Sequence, residues 1–104
     1  RPKPLLLAAL SGCSGMDVVS ILEKMQVTDY GFKVDVEAIP TEEHPVVYHT
    51  ITMIFRFTGK DLPQDKLTKA VKLSTEKYCG VFAMLKKTAQ MHVKLFVNDI
   101  EVTQ

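Results

Sequence analysis

With 104 residues, 46% of them hydrophobic and 24% charged, the chain has an ordinary globular composition and the length of one domain. A net charge of +1 gives no basis for nucleic acid or an anionic membrane as partner, and neither is expected. The two cysteines, Cys13 and Cys79, are too few for a secreted disulfide scaffold and lack the close spacing of a zinc motif.

The chain opens "RPKPLLLAALSGC", which imitates a bacterial lipoprotein signal. The apolar run Leu5 to Leu10 is shorter than the ~7–15 residues of a signal's apolar region. The residues after Cys13, "SGMDVVSILEKM", keep helical periodicity where a lipoprotein would continue as a polar tether. No stretch is expected to approach the ~18 apolar residues of a membrane span. The sequence starts without Met, already inside an apolar element, so an N-terminal part of the natural protein is expected to be missing.

Pro4 suits the first turn of a helix, where its missing N–H is harmless. Leu5 to Leu10 are apolar on every side, which predicts burial all round. Beyond Cys13 the pattern becomes one-sided. Val18, Val19, Leu22 and Met25 are expected inward, with Asp17, Ser20, Glu23 and Lys24 facing elsewhere. Gly12 and Gly15 interrupt this helix on either side of Cys13, although each interior Gly costs about 1 kcal/mol relative to Ala.

"GFKVDVEAI" alternates with period two. Phe32, Val34, Val36 and Ala38 share one face, and Lys33, Asp35 and Glu37 the other. "PTEEHP" breaks this strand, and a second one resumes with Ile51, Met53, Phe55 and Phe57 inward. Asp61 and Pro63 mark the start of a helix whose narrow face is Leu67, Ala70, Val71 and Ser74. Gly80 separates a second short helix, "CGVFAMLKKTA". "QMHVKLFVNDIEV" closes the chain as one strand. The order α-β-β-α-α-β predicts an α+β fold with helices on an antiparallel sheet.

The two cysteines carry most of the functional information. Free Cys often serves as a small buried hydrophobe. Here Cys13 is flanked by Ser11, Gly12, Ser14 and Gly15, whose small bulk would let a substrate or another backbone approach the sulfur. Cys79 lies at the start of a short helix, where the helix terminus lowers a thiol's pKa and the reactive thiolate is favoured. From the residues alone, a functional thiol pair and two inert core thiols both remain open. His44, His49 and His92 lack metal-site spacing, so no metal is expected. Tyr78, Phe82 and Met84 beside Cys79 read as core or as the lining of an apolar pocket. The lysines of the second helix read as a solvated face.

"LLLAALSGCSGMDVVSIL" followed by "VKLSTEKYCGVFAML" resembles the osmotically induced protein C and organic hydroperoxide resistance (OsmC/Ohr) family. It is most similar to the branch with a Cys-Ser/Thr-Gly-Met-Asp-Val motif on its central helix. The resemblance covers essentially the whole chain, including "HPVVYHTITMIFRFTGKDL", and implies one OsmC-like domain over 1–104 without the family's N-terminal strands. It also implies a cytoplasmic homodimer with a long central helix and active sites at the dimer interface. The implied activity is reduction of organic hydroperoxides without a cofactor. Cys13 would be the peroxidatic thiolate and Cys79 the resolving thiol, with an external dithiol as reductant. An implied alternative is a non-catalytic dimer that binds a small hydrophobic or thiol-reactive ligand. A third is a purely structural dimer. The family's peroxidases place a Glu ten residues before the first cysteine, where this chain has Lys3, followed by Pro4. They draw an Arg from the absent strands, and a Pro follows their second cysteine, where this chain has Gly80.

Overall fold

Pro4 opens a 21-residue helix, α1 (Pro4–Lys24), at a position where no hydrogen bond is lost for want of an N–H. In the computed structural model, which describes residues 2–103, α1 extends for about 30 Å at 1.5 Å per residue. It ends in a left-handed turn. Gln26 takes φ 62°, and the Val27 N–H donates to the Leu22 carbonyl at 2.9 Å. Leu10, Ser14, Val18 and Leu22, four residues apart along the helix, form its buried row.

The sheet runs in spatial order β1 (Gly31–Pro40), β2 (Tyr48–Thr58), β3 (Gln90–Val97), β4 (Ile100–Val102). β1 and β2 are antiparallel, with Val34 opposite Phe55 and Ala38 opposite Ile51. Ile51, Met53, Phe55 and Phe57 are buried, as their alternation predicts. They meet Leu10, Val18 and Leu22 of α1 in one core with Leu67, Ala70 and Val71. Those last three belong to α2 (Gln64–Leu73), which continues into a π turn (Ser74–Tyr78) and then α3 (Gly80–Leu85). Phe32 stacks on Phe57 with ring centroids 4.9 Å apart and packs, partly buried, against the core.

Several expectations need correction. The sheet is mixed, because β2 and β3 pair in parallel, Ile51 opposite Met91 and Phe57 opposite Val97. The α2–α3 segment is a crossover that returns the chain to the same end of the sheet, and such a connection imposes parallel pairing. The last strand is two. Asn98 and Asp99 take φ 49° and 66° and turn β3 into β4. The Asn98 side chain also clamps Gly59, donating to its carbonyl at 2.8 Å and accepting its N–H at 3.0 Å.

The start of α1 is not buried within the chain. Leu5 is 68% exposed and Leu6 46%, and of the apolar run only Leu10 is fully covered. Val19 points outward, while Asp17 is half-buried on the helix flank that faces the π turn. By length and composition α1 is also apolar enough to cross a membrane, contrary to the sequence expectation. Its buried row nevertheless packs into the same core as β2 and α2, as a central helix does.

Candidate functional site

Cys13 stands at the middle of α1, half-buried, and Cys79 is only 2% exposed. The chain brings Cys79 to α1 by a change of helical pitch. After Leu73 the backbone widens into the π turn, in which the Cys79 N–H reaches the Ser74 carbonyl at 2.7 Å. Cys79 then leaves helical geometry (φ −77°, ψ 105°) and caps α3, its sulfur accepting the Phe82 N–H at 3.4 Å. The result is convergence: Cys13 Sγ, Cys79 Sγ and a carboxylate oxygen of Asp17 all lie within 4.8 Å of one another.

Serines hold this cluster. The fully buried Ser14 donates its hydroxyl to Cys79 Sγ at 3.1 Å. The buried Ser74 donates to the Ser14 carbonyl at 3.0 Å, and its Oγ lies 3.5 Å from Asp17 Oδ2. Burial pushes the Cys79 thiol above its ordinary range. The Ser14 hydroxyl and Phe82 N–H pull it back, and neighbouring Cys13 adds to the rise. The helix-start argument therefore fails for Cys79, because α3 has only six residues and the sulfur is desolvated.

The two glycines of α1 differ in surroundings. A Cβ on Gly15 would lie 3.7 Å from Phe32 Cε2 and Val34 Cγ2, an ordinary packing distance, so α1 crosses β1 with room for a methyl group there. A Cβ on Gly12 would meet nothing within 4 Å.

The residues expected as core or as the lining of an apolar pocket differ in burial. Phe82 is buried in the core, whereas Tyr78 is 54% exposed and Met84 65%. For these two the core expectation is corrected, since both stand on the outer side of the segment that carries Cys79. Tyr78 instead borders a hollow of about 360 Å³ with Asp17, Ser20, Lys24 and Lys69. Lys3 extends its Nζ over the Tyr48 ring, 6.0 Å from the centroid. It is ten helical positions, about 15 Å, from Cys13 and does not reach the sulfurs. His44, His49 and His92 are exposed on loop and strands, and none of them belongs to the cluster at the thiols. Sequence reasoning names Ser14 only as a small neighbour of Cys13 and Ser74 only as part of a packed face, and it turns Asp17 away from the site. The available signal was spacing: Asp17 is four residues after Cys13, so both lie on one flank of α1.

The family profile described as OsmC-like protein matches residues 1–94. Protein YhfA of Escherichia coli K12 is 39% identical over 90 residues, spanning 86% of this chain and 67% of that protein. The crystal structure of a hypothetical protein from Aquifex aeolicus VF5 superposes with a TM-score of 0.87 at 36% identity, over 94% of this chain and 74% of its own. The organic hydroperoxide resistance protein OhrB of Bacillus subtilis shares the fold with a TM-score of 0.71 at 14% identity, over 91% and 69%.

Proposed function

The chain belongs to the OsmC-like protein family, and from that premise we propose that it reduces organic hydroperoxides with Cys13 and Cys79 as a redox pair. One observation carries the reading: two free thiols, distant in sequence, whose sulfurs stand within 4.8 Å in a serine-lined cluster. Cys13 is the less buried, which suits it for attack. Its thiolate attacks one peroxide oxygen, the O–O bond breaks, and the alkoxide leaves as alcohol after taking a proton. The resulting sulfenic acid is attacked by the Cys79 sulfur. A disulfide forms and water is released, carrying the sulfenic oxygen. An external dithiol restores both thiols by exchange. The working unit is a cytoplasmic homodimer in which a second copy covers the exposed apolar residues of α1.

The test is turnover of an organic hydroperoxide by the chain with a dithiol reductant and a metal chelator present. Cys13→Ser should abolish consumption, because a hydroxyl is not ionised near neutral pH. Cys79→Ser should permit a single oxidation and leave a sulfenic acid that a dimedone probe traps. Consumption no faster than that of free thiol, with no sulfenic acid in Cys79→Ser, would end this reading.

A further inference from the structure

The peroxide chemistry above makes no use of Asp17. Its carboxylate nonetheless completes a three-atom cluster with Cys13 Sγ and Cys79 Sγ, every pair within 4.8 Å. Two sulfurs and one carboxylate oxygen form a donor set suited to a thiophilic divalent cation. Magnesium and calcium, which take oxygen ligands, do not match it. Two sulfurs bound tetrahedrally at about 2.3 Å from zinc stand roughly 3.8 Å apart, so closure needs a movement of no more than about 1 Å.

The surroundings favour a built site over a chance meeting of side chains. Cys79 Sγ is held by the Ser14 hydroxyl and the Phe82 N–H. Ser74 Oγ stands 3.5 Å from Asp17 Oδ2, so the carboxylate also has an outer partner. Such outer contacts orient metal ligands and preserve their geometry. Asp17 also borders the hollow of about 360 Å³ beside Tyr78, which gives an ion a route from solvent to the carboxylate.

We propose that the reduced chain binds one zinc-like cation through Cys13, Asp17 and Cys79. Two S–H bonds are replaced by two sulfur–metal bonds, two protons pass to solvent, and no atom changes oxidation state. The proposal shares the thiols with peroxide reduction but does not rest on it. The binding assay contains no peroxide and the turnover assay contains chelator, so either can fail alone.

The experiment titrates the chain, kept reduced by a phosphine, with Zn²⁺ against a chromophoric chelator, and with Co²⁺ for its absorption spectrum. Expected are one Zn²⁺ per chain and a near-ultraviolet sulfur-to-cobalt band. Cys13→Ser should weaken Zn²⁺ binding beyond the ~10–100-fold typical of outer-contact changes, and Asp17→Asn should weaken it at least about tenfold. Circular dichroism verifies the fold of each variant. Because Cys79→Ser alters a buried position, the two half-buried positions Cys13 and Asp17 decide the matter. Zn²⁺ affinity unchanged in either variant, or Co²⁺ without the sulfur band, overturns the site.

Discussion

Ser14 donates its hydroxyl to the Cys79 sulfur at 3.1 Å, joining the middle of α1 to the cap of α3 inside the core. A donor on sulfur favours the thiolate, and here it opposes the burial that pushes the Cys79 thiol up. Ser14→Ala removes that donor. Alkylation of Cys79, followed by mass spectrometry with chelator present, should then begin at higher pH than in the parent chain. The same variant should lose about 0.5–1.5 kcal/mol of stability in urea, the usual worth of one hydrogen bond. Unchanged alkylation would mean that the hydroxyl does not act on the sulfur.

Arg56 and Asp35 offer a prediction on pH. Arg56 Nε donates to Asp35 Oδ2 at 2.9 Å between β2 and β1, and Arg56 also stacks over the Phe96 ring at 4.9 Å. The Arg56 hydrogen bond holds the Asp35 carboxyl below its ordinary 3.8, with Lys33 assisting and burial opposing. Folding thus favours the ionised carboxylate. Its contribution is present above pH about 4 and is lost as pH falls through the lowered folded value. Asp35→Asn should therefore be less stable than the parent near neutral pH, with the gap closing on acidification. A gap in urea midpoints that widens below pH about 4 would contradict this.

Gly59 tests the backbone between β2 and α2. Its φ of 156° is one that side chains rarely adopt, and a Cβ there would lie 3.1 Å from both the Asp29 carbonyl oxygen and Leu62 Cδ2. Gly59→Ala should cost on the order of 1–3 kcal/mol in chemical unfolding, as strained backbone positions do. A variant as stable as the parent would show that this turn relaxes without loss.

The sequence made periodic elements legible and left non-local ones hidden. Phe32 to Ala38 and Ile51 to Phe57 announce their faces because a strand's period of two is local. Leu67, Ala70, Val71 and Ser74 do the same for α2 and the turn after it. The parallel pairing of β2 with β3 depends on the path of the intervening helices, which no strand encodes. The Asn98–Asp99 turn lacks the glycine that usually marks such a hairpin. At the site, polarity misleads: the pattern turns Asp17 away from the core and reads Ser14 only as a small neighbour of Cys13, yet their spacing from Leu10 and Cys13 sets them on the inward flank. The meeting of Cys13 with Cys79 depends on the π turn, and a widened helical turn has no composition that distinguishes it from α-helix.

The outer face of α1 bears on assembly. Leu5, Ala9, Gly12, Met16 and Val19 recur at steps of four and three residues and are all exposed, with Met16 at 77%. The proposed dimer would bury this uninterrupted apolar row, and the open space beside Gly12 would let another backbone approach closely. A second copy laid on this row would also cover Leu6 and complete the enclosure that the all-round apolar start of α1 predicts. Light scattering at micromolar concentration should give about twice the 11.7 kDa chain mass. Met16→Asp places a charge where a partner's apolar surface would lie, while Met16 makes little contact within its own chain. It should therefore yield folded monomers with unchanged α-helical circular dichroism and a lower thermal midpoint, since the stabilisation from association is lost. A parent chain that is monomeric at tens of micromolar, or a Met16→Asp variant that remains dimeric, would remove this row of α1 as the dimer contact.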